Sequence, residues 1–154
     1  MMTDISYREA THADVHAMAK IRSAIWESTE YWTERIESYM AGNNNPQDAL
    51  PGRQLFVATK DNVVIGFTAG HLSTRYGCQG ELQWINVEPD YHRHGIATAL
   101  VRMLAGWFVK QNAHHICTDV DPGNIIARAF YQHLGADNLS QHWMAWTDIG
   151  VMLK

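Results

Sequence analysis

Several building materials are scarce in this chain, and each scarcity excludes something. Only two cysteines occur in 154 residues, Cys78 and Cys117. Two such isolated thiols make no zinc motif, and in a reducing compartment they are expected to stay free. No apolar run approaches the ~20 residues that a membrane helix needs. No basic run occurs either, and the net charge is −4 with a pI near 6.1. Nucleic acid is therefore not expected as a partner, since phosphate neutralisation dominates such binding. A mildly acidic protein suits a cationic substrate better. Met1-Met2-Thr3-Asp4 carries no basic, apolar leader, so a cytoplasmic protein with no membrane role is expected. Repeats and low-complexity segments are absent from the sequence.

Hydrophobic residues make up 46% of the chain and charged residues 18%, which fits a globular protein with a buried core. At this length one domain, residues 1–154, is expected, burying roughly two-thirds of its unfolded surface. Nine histidines are many. His12 and His16 stand four apart in a predicted helix, but no third ligand accompanies them, so no metal site is expected. His114-His115 reads as a loop pair.

Alternation at Ile5 and Tyr7 predicts a short first strand. Thr11 with Asp14 reads as a capping box. It opens a helix that carries Val15, Met18, Ala19, Ile21, Ile25 and Trp26. A second helix is predicted over about Thr33 to Met40, ending in the Gly42–Gly52 loop. Leu55–Thr59 and Val63–Leu72 read as strands joined by an Asp61-Asn62 hairpin turn. A further strand runs from Glu81 to Val87. The next helix places Ile96, Leu100, Leu104 and Phe108 in one row, and Ala97, Val101, Ala105 and Val109 in the next. His115–Val120 is a strand, and Asn124 caps a helix over Ile125–Leu134 that Gly135 stops. Trp143–Thr147 is the last strand, with a partner near Ala136–Leu139.

Between the strand ending at Val87 and the helix that follows lies Tyr91-His92-Arg93-His94-Gly95-Ile96-Ala97-Thr98. A basic, small-residue turn at a helix N-terminus suits a phosphate group, because the first N–H groups there lack internal partners and the helix dipole favours an anion. The run His92 to Ala97 resembles the signature of the GNAT superfamily of N-acetyltransferases: Arg or Gln, two residues, Gly, one residue, then Gly or Ala. His92 stands where Arg or Gln is usual. A second block, Asn124 to Gly135, resembles the family's Asn-x-x-Ala-x-x-Phe-Tyr-x-x-x-Gly pattern. The predicted element order also matches, from about Ile5 to Thr147.

The resemblance implies an α/β (α+β) fold. Its mixed central sheet has six to seven strands and four flanking helices, and its parallel central strands are splayed. It implies acetyl-CoA as acyl donor, inserted between those strands, and no metal. Backbone groups of Ile85, Asn86 and Val87 would pair with the pantetheine like an added strand. His92, Arg93, His94, Gly95, Ile96, Ala97 and Thr98 would hold the pyrophosphate, and Asn124 would touch the cofactor. Tyr131 would be the general acid, protonated at neutral pH because a phenol titrates near 10. Glu81 is the first candidate for the base, with Asp119 and water as alternatives. Tyr31, Trp32 and Gln83 would meet a primary amine acceptor of a small molecule or peptide. Tyr39 and the acids Glu30, Glu34 and Glu37 fall in the same region, where packing and solvation explain them as well. Direct attack by the amine is implied, since neither cysteine has a histidine partner in motif form. A non-catalytic acyl-CoA-binding or sensing module is the alternative. Many relatives form homodimers, and Trp143 or Trp146 could lie at such an interface.

Overall fold

A computed structural model describes residues 4–154. The reading of Met1–Thr3 as lacking a leader lies outside the described residues. Seven strands form one sheet in the order β1-β2-β3-β4-β5-β7-β6. They are β1 (Ile5–Glu9), β2 (Ala49–Lys60), β3 (Val63–Ser73), β4 (Gly80–Val87), β5 (Ile116–Asp119), β6 (Asp137–Asn138) and β7 (Trp143–Trp146). The helices are α1 (Val15–Ser23), α2 (Thr29–Ala41), α3 (Ile96–Lys110) and α4 (Ile125–His133). Neighbouring strands are antiparallel except β4 and β5, which are parallel.

The α/β fold expected from the sequence is therefore present, with a mixed sheet and four helices. Its apolar residues divide between the two faces. Val15, Met18, Trp32, Ile36 and Tyr39 of α1 and α2 bury against Val57, Phe67 and Trp84. On the other face Ile96, Leu100, Leu104 and Phe108 of α3 bury with Leu82, Ile116, Tyr131 and Trp146. The two rows read along α3 are thus its sheet-facing stripe. The Asp61-Asn62 turn has φ of 52° and 65°, the paired positive values of a tight hairpin turn.

Other elements are displaced from their predicted bounds. A short 3-10 turn, His12–Asp14, precedes α1, and Asp14 accepts a hydrogen bond from the Thr11 backbone N–H at 2.8 Å. Arg8 grips the same carboxylate through both terminal nitrogens, at 2.8 and 2.9 Å. Helix α1 stops at Ser23, so Ile25 and Trp26 are not part of its stripe and stand 68% and 58% exposed. Helix α2 starts four residues early because Ser28 caps it, accepting from Tyr31 N–H at 3.0 Å. Strand β2 begins at Ala49, inside the stretch expected as the Gly42–Gly52 loop. A register shift between Ala49 and Arg53 accommodates the proline.

Trp143 and Trp146 are 6% and 0% exposed. Trp143 lies under the Arg75 guanidinium, and the Trp146 indole N–H donates to Leu134 C=O. Both are spent inside the fold, which removes the reason for placing either at a dimer contact. Among the described residues, no helix is long and apolar enough to cross a membrane.

Candidate active site

Strands β4 and β5 pair over only three residues each, Gly80–Leu82 with Ile116–Thr118. Beyond Leu82 they part. A β-bulge sits at that point, since Gly70 faces Leu82 and Ala69 faces Trp84, leaving Gln83 unmatched. The extra residue reverses the alternation of side chains. Leu82 joins the α3 face, and Trp84, two residues on, joins the α1/α2 face. Simple alternation of faces along β4 from Glu81 therefore fails at Gln83.

The remainder of β4 keeps β3 on one side and has an open edge on the other. Glu88 N–H donates to Ile65 C=O across to β3. By the alternation of an antiparallel ladder, the backbone groups of Asn86 also face β3, and those of Ile85 and Val87 face the gap. Of the three residues expected to pair with pantetheine, Ile85 and Val87 thus turn their backbone groups to the gap and Asn86 turns its own to β3. Val87 C=O has a partner already, because His92 Nε2 donates to it at 2.8 Å. His92 thus ties the end of β4 to the turn.

That turn leads straight into α3. Arg93 and Gly95 both have positive φ, 68° and 77°. The cap residue Gly95 has no atom within 4 Å of where a Cβ would stand, so its left-handed backbone, not crowding, favours glycine. No side chain caps α3. The N–H groups of Ile96, Ala97 and Thr98 are the uncapped first turn of a 15-residue helix, with Arg93 and His94 exposed beside them. Asn124 is occupied as the cap of α4, accepting from Ala127 N–H at 3.1 Å.

Tyr131, on α4, packs in the core on the α3 side and is 6% exposed. Its ring packs edge-on to Trp146 at 5.7 Å. Burial pushes its pKa up to about 12, partly offset by hydrogen bonding to Thr118 and by the nearby positive charge of Arg22. Thr118 itself donates to Leu82 C=O at 3.0 Å, at the last paired position before the strands part.

On the α1/α2 face the two carboxylate candidates differ sharply. Glu81 is 4% exposed and opposite His71 in the β3–β4 register. Its Oε1 lies 3.4 Å from His71 Nε2 and 3.9 Å from Arg75. Neither Glu81 Oε1 nor His71 Nε2 has an aligned hydrogen-bond partner. His71 Nδ1 shares a 2.8 Å hydrogen bond with the Tyr39 hydroxyl. Tyr39 is thus a fully buried member of this row rather than an acceptor-facing aromatic. Asp119, at the end of β5, is exposed and lines a cleft of about 420 Å³ with Arg75, Tyr76, His142 and Trp143. Partial burial and then the charge of Glu81 raise its pKa. Nothing in the sequence signalled the row Tyr39–His71–Glu81, since its members come from three elements.

The expected acceptor aromatics are largely engaged. Trp32 is 4% exposed, its indole N–H donates to Trp26 C=O, and the Arg22 guanidinium lies 4.3 Å from its ring centroid. A face already bearing a cation is not free for an ammonium. Tyr31 is 41% exposed and stacks edge-on to Trp32. Glu30, Glu34 and Glu37 line a separate hollow of about 500 Å³ with His16 on the outer side of α2. The thiols of Cys78 and Cys117 meet in a buried cluster with Trp143 and Ala145, nearer in space than in sequence. Burial pushes the Cys117 thiol far up, which leaves it a poor nucleophile.

A parallel pair that parts around a bulge thus leads, along an open strand edge, to an uncapped helix start. The model of the acetyltransferase (GNAT) family matches residues 16–136, and the chain belongs to that family. No curated protein sequence matches it. Among solved structures, it is similar to a PaiA N-acetyltransferase from Thermoplasma acidophilum in complex with coenzyme A. Identity is 15%, TM-score 0.70, and 94% of this chain and 99% of that chain are covered. It is also similar to the ribosomal-protein-S18-alanine N-acetyltransferase of Escherichia coli, with 20% identity, TM-score 0.69 and 93% of each chain covered. A third is an aminoglycoside 6'-N-acetyltransferase from Acinetobacter haemolyticus, at 20% identity and TM-score 0.74, covering 88% and 92%. At these identities the likeness concerns the fold.

Proposed function

We propose that this chain transfers an acetyl group from acetyl-CoA to a primary amine by direct attack in a ternary complex. The observation that carries this reading is the three-residue pairing of β4 with β5, which opens into a gap ending at the uncapped start of α3. The free N–H and C=O of Ile85 and the free N–H of Val87 suit the amides of a pantetheine arm, which resemble a peptide. The N–H groups of Ile96, Ala97 and Thr98, with Arg93 and His94 alongside, suit its pyrophosphate. A backbone N–H on the same edge can stabilise the charge that develops on the thioester oxygen.

Asp119 is the better-placed base. It is open to the cleft, and its raised pKa brings it nearer to that of an effective proton acceptor. Glu81 acts behind it, its buried charge helping to hold that pKa up. In the reaction Asp119 takes a proton from the ammonium of the acceptor. A carbon–nitrogen bond then forms as the carbon–sulfur bond breaks, the Tyr131 phenol gives its proton to the departing thiolate, and the second proton shed by the new amide nitrogen restores the phenol. Calorimetric titration with acetyl-CoA, against ATP and NAD as controls, tests the first claim. Micromolar binding confined to acetyl-CoA is expected, followed by release of free CoA when amines are added. Equal binding of ATP or NAD would point instead to a general nucleotide site.

A further inference from the structure

Two arginines near the gap have no acidic partner. Arg22, in the last turn of α1, and Arg35, on α2, are both half-buried. Their guanidinium carbons each lie 5.9 Å from the Trp84 ring centroid, and Arg22 also stacks on Trp32. Among the described residues, neither makes a salt bridge, whereas Arg8 and Arg75 do. Arg22 Nε and Arg35 Nη1 are sealed from solvent with no hydrogen-bond partner, and so is the neighbouring-strand Gln83 Oε1 at the bulge. The single side-chain hydrogen bond of Arg22 goes to Asn86 Oδ1, at 3.1 Å.

Proteins rarely hold two guanidinium groups together, partly desolvated and without a counter-charge. Burial, and next the charge of Arg35, lowers the pKa of Arg22, so the two groups repel each other. The arrangement is one that an anion would relieve. Its position indicates which anion. Trp84 follows the bulge directly, and the charge of Arg22 acts on the Tyr131 phenol across the gap. Arg22 therefore adjoins the reacting centre from the α1/α2 side, the side of Trp84, with Arg35 next to it on the same ring. The uncapped turn of α3, at the other end of the open edge, provides separately for phosphate.

We propose that Arg22 and Arg35 form a carboxylate subsite for the acceptor, so that the amine acetylated here also carries a carboxylate, as an amino acid does. This rests on the acetyltransferase reading and narrows it. The planar fork of each guanidinium matches a carboxylate in two-point contact. Asp119 receives the amino group while the arginines hold the acid group. A polycation such as an aminoglycoside, which has several ammonium groups and no carboxylate, is disfavoured by the same pair.

The test is calorimetric titration of the whole protein, with and without CoA, by the common amino acids and by their primary amides. At least one amino acid should bind roughly tenfold or more tightly than its amide, the effect of a charge-assisted contact. Arg22→Met and Arg35→Met should each abolish that preference, Arg22→Lys should keep part of it, and CoA affinity should stay within about twofold. Because Arg35 is an uncompensated charge with no hydrogen bond to lose, Arg35→Met should not melt lower than the parent. The proposal is overturned if no amino acid is preferred to its amide. It is also overturned if the preference survives both substitutions, or if CoA affinity falls in step with it, which would assign the arginines to the donor. Failure of CoA to bind the parent protein would remove the acetyltransferase reading, while the amino-acid arm would still decide the subsite.

Discussion

Asp14 and Asp119 are both aspartates near the sheet, yet their surroundings push them in opposite directions. Arg8 and the Thr11 N–H hold the Asp14 carboxyl below its usual 3.8. Its contribution to stability is present above that value and is lost as pH falls through the lowered one. Asp14→Asn should cost about 1 kcal/mol by denaturant titration at pH 7, with the difference from the parent shrinking in acid. Asp119 is shifted upward, so the rate should rise with pH through its raised value as the base form appears. Glu81→Gln should move that limb of the pH–rate profile to lower pH, and Asp119→Asn should remove it; a limb that survives Asp119→Asn would detach Asp119 from the mechanism. Tyr131→Phe keeps the ring but removes the proton. It should cut kcat by about tenfold or more while leaving acetyl-CoA affinity unchanged.

At the scale of elements, the site depends on how β4 begins and ends. Its first residue, Gly80, lies against α3. A Cβ there would stand 2.5 Å from Phe108 Cε1 and 2.9 Å from Ile116 Cδ1. Gly80→Ala should therefore destabilise the fold by about 1–3 kcal/mol, read from the urea midpoint, through overpacking. At the far end, Gly95 permits the left-handed turn that aims the start of α3. Gly95→Ala should weaken acetyl-CoA binding more than it lowers the melting temperature, since the strain falls on an exposed turn rather than on the core.

Ligand binding and folding are coupled across the whole molecule. Acetyl-CoA at about 100 times its Kd should add about 2.7 kcal/mol to the unfolding free energy, visible as a raised melting temperature. The sequence alone determined much of this protein. Periodicity marked the stripe of α3, turn chemistry marked Asp61-Asn62, capping marked Asn124, and two motif blocks marked the family, because each of these is written within one short segment. It also offered Tyr131, Gly95 and the edge of β4 as candidates for the site. It did not reveal the bulge at Gln83, which exists only as a mismatch of register between two strands. Nor did it reveal that Trp32 and Trp84 carry arginines, that Tyr39, His71 and Glu81 form one row, or that Asp119 is open where Glu81 is closed. Those properties arise when residues distant in sequence share one desolvated space, where exposure, partners and charge are set by neighbours that only the packed sheet and its helices bring together.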